Sequence, residues 1–346
     1  MYGLSLTDEI LGITLIWGFV FIYAVMGAMD FGAGFWSMIY INRDKTNVTN
    51  IANRYLSPTW EVTNVFIVAL VVAIYSMFPR AAYSLGTILL IPGSLILLLI
   101  TIRSAFLVFS HAAEKYKRLL IYVSGITGIL IPGLLIAVLP ISQGGYVIEQ
   151  NGRESLSLGL LFTSPNVYAF IAFAIISSLF LSSLLLADYS KTAGDLRAYG
   201  VYRRDALITG PISLICAFLI MVTLKTEANW IYIKMMDNLP LLITSAACFI
   251  LTGALLMIPG GKGLKGIPRL AVIVTIIQFL LAGFVYGRAH LPYIIYDNET
   301  IRTGFTDPSS FRAVFIVYVV GFAILFPGFY FFWRLFMRDR SVRQTD

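Results

Sequence analysis

The sequence predicts an all-α integral membrane protein of nine transmembrane helices, arranged as two four-helix bundles plus one extra helix, with the N-terminus outside and the C-terminus cytoplasmic. Three observations carry that expectation. The 346 residues are 58% hydrophobic and only 12% charged, against roughly 25% charge in a water-soluble domain. The apolar stretches reach the length of about 20 residues that a helix needs to cross a bilayer. The 25 Lys and Arg residues concentrate in alternate connections between those stretches.

Taken in order, the predicted spans are 10–40, 60–78, 82–111, 119–138, 165–187, 206–224, 239–257, 270–286 and 313–336. The first and third exceed a simple crossing and are expected to tilt or protrude. The first is rich in small residues, Gly27, Ala28, Gly32, Ala33 and Gly34, as are the third at Gly86 and Gly93 and the fourth at Gly125 and Gly128. In lipid, small residues at intervals of about four let helix backbones approach closely. Pro92, Pro132 and Pro327 each remove a backbone donor and are expected to kink their helices. The connections after the fourth and eighth spans, 140–164 and 287–311, are longer and polar. Their matching positions divide the single membrane domain, 1–346, into a first four-helix unit over 1–138, a second over 165–286, and a ninth helix at 313–336.

Orientation follows from the retention of Lys and Arg on the cytoplasmic side. With the N-terminus outside, the inner connections and tail hold Arg43, Lys45 and Arg54; Lys115, Lys117 and Arg118; Lys191, Arg197, Arg203 and Arg204; Lys262, Lys265 and Arg269; and Arg334, Arg338, Arg340 and Arg343. The net charge of +7 therefore reads as topology and contact with membrane lipids, not as a nucleic-acid surface. The first residues lack a basic n-region, and the first apolar stretch is too long for the core of a cleavable signal, so it is expected to insert as it stands. Cys216 and Cys248 fall inside spans without CxxC spacing and are read as small apolar residues.

Three charges interrupt the apolar helices: Asp30, Glu61 and Arg103. A charge at bilayer depth costs about 2.5–3.5 kcal/mol even on lenient scales, so it persists where it has a partner, a wet cavity or a function. The alternating direction of the first three helices brings all three to the cytoplasmic half. An Arg there is stabilised by a carboxylate, which leaves the second acid free to exchange protons. Ser57, Thr63 and Asn64, together with Thr59, are expected to hold water along that route. An ion-paired clamp that only fixes helix register explains the same trio. Haem ligation within the chain is disfavoured, because its two histidines, His111 and His290, are predicted on opposite membrane faces. There is no metal-ligand spacing, phosphate loop or nucleophile elbow, so no catalytic, metal or cofactor-binding residue is assigned to this chain.

The stretch Ala28-Met29-Asp30-Phe31-Gly32-Ala33-Gly34 resembles the first-helix signature of subunit II of cytochrome bd-type quinol oxidases. Ser57-Pro58-Thr59-Trp60-Glu61-Val62-Thr63-Asn64-Val65 resembles the Pro-x-Trp-Asp/Glu segment that opens the second helix of that family, and Arg103 with Phe106 is a third, weaker match. The resemblance implies a terminal oxidase of the bacterial cell membrane that reduces oxygen to water with electrons from membrane quinol. It implies a heterodimer in which the haem-bearing subunit I holds haems b and d, or b only. Subunit II is then a haem-free partner with a cytoplasmic proton-uptake pathway through Asp30 and Glu61, and Arg103 as their charge partner. A small single-span accessory subunit and a bound quinone or lipid are compatible with it. The chain departs from the family pattern at Gly27 and across Thr63-Asn64-Val65-Phe66, which shifts the expected route onto Asp30.

Two other readings compete. A proton-coupled secondary transporter would use the same acids, but it calls for broken helices in two matching halves with a site at the midplane. A scaffold subunit would use the charges for assembly alone.

Overall fold

The computed structural model describes residues 7–42, 47–109, 116–150, 153–259 and 265–338, with the side chains of 54–59 and 332–338 among those left aside. Arg43, Lys45, Lys115, Lys262, Arg340, Arg343 and His111 lie outside the described residues, as do the side chains of Arg54, Ser57, Thr59, Arg334 and Arg338. Among the described residues, nine helices are long and apolar enough to cross a membrane.

The chain runs α1 (Asp8–Ile39), α2 (Val48–Met77), α3 (Pro79–Ile88), α4 (Leu90–Phe109), α5 (Lys117–Ile136), α6 (Val138–Ser142), β1 (Val147–Gln150), β2 (Arg153–Leu156), α7 (Leu158–Thr163), α8 (Pro165–Ala193), α9 (Leu196–Glu227), α10 (Asn229–Met236), α11 (Leu239–Met257), α12 (Pro268–His290), β3 (Tyr293–Ile295), β4 (Glu299–Thr300) and α13 (Pro308–Arg338). The stretch 82–111, expected as one long helix, is two. Proline explains the break: Pro92 has no N–H to give the Ile88 carbonyl, and the helix parts at Leu89, where φ is −89° and ψ 13°. Pro140 acts in the same way on the Ile136 carbonyl, and α5 gives way to α6 at Ala137. Pro132 and Pro327, by contrast, stay within α5 and α13.

Helix α8 lies at the centre, with 67% of its most apolar stretch buried, whereas the corresponding figures for α4 and α13 are 11% and 6%. It pairs along its length with α9, the two antiparallel, and also meets α1, α5 and α12. Ser164 caps α8 by accepting from the Val167 N–H at 3.2 Å, and Asp195 caps α9 by accepting from Ala198 at 3.0 Å. The largest core cluster joins Ala33 and Trp36 of α1 to Leu181 and Leu184 of α8, Tyr202 of α9, Leu256 of α11 and Ala271 of α12. Trp36 Nε1 donates across this seam to the Leu179 carbonyl at 3.2 Å.

The two polar connections form short antiparallel hairpins, β1 with β2 and β3 with β4. They meet each other: the Tyr296 N–H donates to the Ser142 carbonyl at 2.9 Å, and the Tyr296 ring stacks on Trp230 at 4.3 Å. Trp230 is therefore packed among loop aromatics. Asp307, just before α13, accepts hydrogen bonds from Ser309 and Ser310, which hold its carboxyl well below the usual carboxylate range.

At the opposite end of the bundle, Tyr40 donates its hydroxyl to Asp205, which also accepts from Arg204 at 2.9 Å. This ties the end of α1 to α9. Asp205 is 4% exposed, whereas the Arg204 side chain is 55% exposed, so the ion pair itself contributes little. The Asp205→Ala substitution is expected to cost about 1–3 kcal/mol, the penalty of leaving the buried Tyr40 hydroxyl without its acceptor. A lowered thermal midpoint of the assembled complex checks it, and an unchanged midpoint removes the claim.

Candidate functional site

The site forms where α1 is clasped by α2, α4 and α5. Close approach is possible because two positions lack side chains. A Cβ on Gly34 would lie 3.0 Å from Nη1 of Arg103 and 2.9 Å from the Ser124 carbonyl, and one on Gly128 would strike the Phe31 carbonyl oxygen. The glycines read from the sequence as packing devices thus clear the space that a guanidinium fills.

Arg103 is 4% exposed and held mainly by main-chain oxygens. Nη2 donates to the Asp30 carbonyl at 2.8 Å, and Nη1 donates to the Ser124 carbonyl and, at 3.5 Å, to Thr127 Oγ1. The guanidinium also sits 5.2 Å from the centroid of the Phe31 ring, within cation–π range. A fork of fixed donors suits this arrangement, because it bridges two helices at once. The Asp30 carboxylate, on a residue 2% exposed, accepts from Thr63 Oγ1 and interacts electrostatically with the Arg103 charge. The arginine therefore binds the backbone of Asp30 and leaves its carboxylate to face α2.

That carboxylate borders a cavity of about 10 Å³, walled by Thr63, Asn64, Arg103, Ser104 and Trp60 as well as Asp30. Such a volume admits about one water, and its polar walls suit one. Asn64 Nδ2 donates to Ser104 Oγ at 3.4 Å, linking α2 to α4 beside the cavity. The buried Tyr23 hydroxyl, two helical turns before Asp30 on α1, has no hydrogen-bond partner among the described residues.

Of the residues expected from the sequence, Asp30, Thr63, Asn64 and Arg103 are brought together, and Glu61 is not. Glu61 is exposed on α2 and absent from the cavity wall. Helix geometry gives the reason: two residues are about 200° of rotation, so a helix that turns Thr63 toward α1 turns Glu61 away. Ser124, Thr127 and Ser104 are members that the sequence reading passed over. The available signal was their placement beside Gly125, Gly128 and Arg103, polar groups in apolar helices next to small residues.

His290, the one described histidine, ends α12 with its ring packed 5.5 Å from Trp230 and 5.8 Å from Tyr286, and its Nε2 lies 3.4 Å from the Ile294 carbonyl. Its Nδ1 has no partner among the described residues, and no cluster of three metal-ligating side chains occurs among them. Cys216 and Cys248 are free thiols.

Fold and site together define a polytopic membrane subunit that holds an arginine and a carboxylate at bilayer depth beside a water-sized cavity. Residues 9–336 match the family described as cytochrome bd terminal oxidase subunit II, and the chain belongs to that family. It is 57% identical over 344 residues to the putative cytochrome bd menaquinol oxidase subunit II of Bacillus subtilis (strain 168), covering 98% of this chain and 99% of that one. Among solved structures it resembles a chain of the bd oxidase from Geobacillus thermodenitrificans, with a TM-score of 0.82 and 34% identity, covering 97% of this chain and 100% of that one. The chain is thus a subunit of a bd-type quinol oxidase and a multi-pass bacterial membrane protein, and the transporter reading is set aside. Membership implies haem cofactors and a quinol substrate in the complex, and a partner subunit I.

Proposed function

We propose that this chain is the haem-free partner in a heterodimer whose subunit I holds every haem, and that it delivers cytoplasmic protons toward the oxygen-reducing centre through Asp30. Its quinol is a menaquinol, as the name of the Bacillus subtilis relative states for that protein. The N-terminus lies outside and the basic connections inside. Subunit I covers the face formed by α2, α4 and α13, a reading supported by how little of α4 and α13 the chain itself buries. Glu61 then meets subunit I rather than lipid, where a bare carboxylate would cost about 2.5–3.5 kcal/mol. A single-span accessory subunit would take another exposed apolar face, such as that of α9 around Ile215 and Phe218.

One observation carries the proton route: the Asp30 carboxylate is buried, borders a water-sized polar cavity and is bonded by a hydroxyl that can pass a proton, while Arg103 is anchored on main-chain oxygens. Thr63 and Asn64 orient water there, and Ser57 and Glu61 remain candidates for the remainder of the route. The Asp30→Asn substitution tests it cleanly. Asn keeps the shape and leaves the main-chain anchors of Arg103 intact, so the complex is expected to assemble with full haem content. Turnover with quinol is expected to fall at least about tenfold, because an amide cannot relay a proton, a loss below the 10²–10⁴-fold typical of direct acid–base groups. Unchanged turnover and pH profile would remove the relay. Failed assembly with normal turnover of what assembles would favour the clamp.

A further inference from the structure

Among the described residues, the buried side-chain polar atoms without a hydrogen-bond partner belong to Tyr23, Ser124, Gln278 and His290. Tyr23 stands on the same helix as Asp30 and on the same face of it. Seven residues make about two turns, which leaves the two side chains within about 20° of each other around α1 and places Tyr23 about 10 Å nearer the start of that helix. The residue is 6% exposed, and its phenol interacts electrostatically with both Asp30 and Arg103. It belongs to the core cluster that joins α1 to Phe66 and Ala73 of α2 and, at its edge, to Phe322 of α13. Packing does not account for the hydroxyl. A phenylalanine would fill the same apolar cluster, whereas a buried hydroxyl without a partner lowers stability, and such a group in a native fold calls for a functional reason or a bound water.

We propose that the Tyr23 hydroxyl is the next proton-carrying group after Asp30, joined to it through water, and that it turns the route toward α2 and α13, the side on which subunit I is placed. The inference rests on the reading of Asp30 as a proton-uptake group. A buried water needs about 2–4 polar partners, and the unpaired hydroxyl and the carboxylate are two. A hydroxyl suits an apolar cluster because it relays without holding charge. Its oxygen takes a proton from water on a lone pair as its own hydrogen leaves to the next acceptor, and the phenol is neutral before and after.

The test is Tyr23→Phe in the assembled oxidase, beside Asp30→Asn and the double variant. Haem content and thermal midpoint of Tyr23→Phe are expected at or above the wild-type level, since only an unpaired hydroxyl is lost. Quinol turnover is expected to fall about fivefold, less than the 10²–10⁴-fold typical of direct acid–base groups, because water can partly stand in for the hydroxyl. The loss is expected to deepen as pH rises, where proton supply limits the rate. The double variant is expected to be no slower than Asp30→Asn, because groups in series serve one route and their losses do not add. Full turnover and a wild-type pH profile in Tyr23→Phe, with Asp30→Asn slowed, overturn this inference and leave the route through Asp30 standing. Unchanged turnover in both single variants overturns both. A double variant much slower than either single one overturns the inference by placing Tyr23 on a separate path, and a lowered thermal midpoint with normal turnover per haem does so by making the hydroxyl structural.

Discussion

Replacing Arg103 by Ala is expected to abolish most of the assembled oxidase, with a loss of about 3–5 kcal/mol of stability, the range measured when one member of a buried charged pair is removed. The loss has two sources. The Asp30 and Ser124 carbonyls, each bonded by the guanidinium, lose their donor in a region water scarcely reaches. The Asp30 carboxylate loses the nearby positive charge that keeps it in an apolar bundle. Arg103→Lys is expected to recover part of the assembly, because an ammonium can reach one carbonyl but cannot fork between two helices. Haem absorbance per milligram of membrane and the thermal midpoint of the purified complex measure both variants. Normal assembly of the Ala variant would show that α1, α4 and α5 hold together without this node.

Gly128→Val is expected to destabilise by about 3 kcal/mol, the upper end of overpacking costs. The obstacle is the Phe31 carbonyl oxygen, part of a helix backbone, so the added Cβ cannot be accommodated by a rotamer change. Helices α1 and α5 must separate, which lengthens the Arg103 bond to the Ser124 carbonyl. Gly93→Ala is the control: a Cβ there meets nothing within 4 Å, and the change is expected to be neutral or slightly stabilising. A Gly128→Val complex as stable as the wild type would mean that α1 and α5 are not in this register.

Much of the architecture was legible because a membrane imposes a length rule on apolar runs. Predicted span 239–257 coincides with α11, and the remaining spans overlap the observed helices, although α9 begins ten residues before the predicted 206. The third span was misjudged as one helix. Its hydropathy is continuous through Leu89, and the break comes from a missing hydrogen bond at Pro92, which hydropathy does not register. The site was half legible. Asp30, Thr63, Asn64 and Arg103 stand out as polar groups in apolar helices, yet their depth alone also suggested Glu61, and depth says nothing about azimuth.

The sequence by itself determined that the chain lives in a bilayer, which of its stretches are long and apolar enough to cross it, and which charges must be accounted for, because burial of an apolar run or an isolated charge is a local free-energy question. Only the tertiary structure decided which carboxylate is enclosed and which looks outward, and that Arg103 grips main-chain oxygens of two neighbouring helices. Those outcomes depend on helix rotation and on the gaps at Gly34 and Gly128, where steric contact over a few ångströms between segments far apart in the chain selects one arrangement.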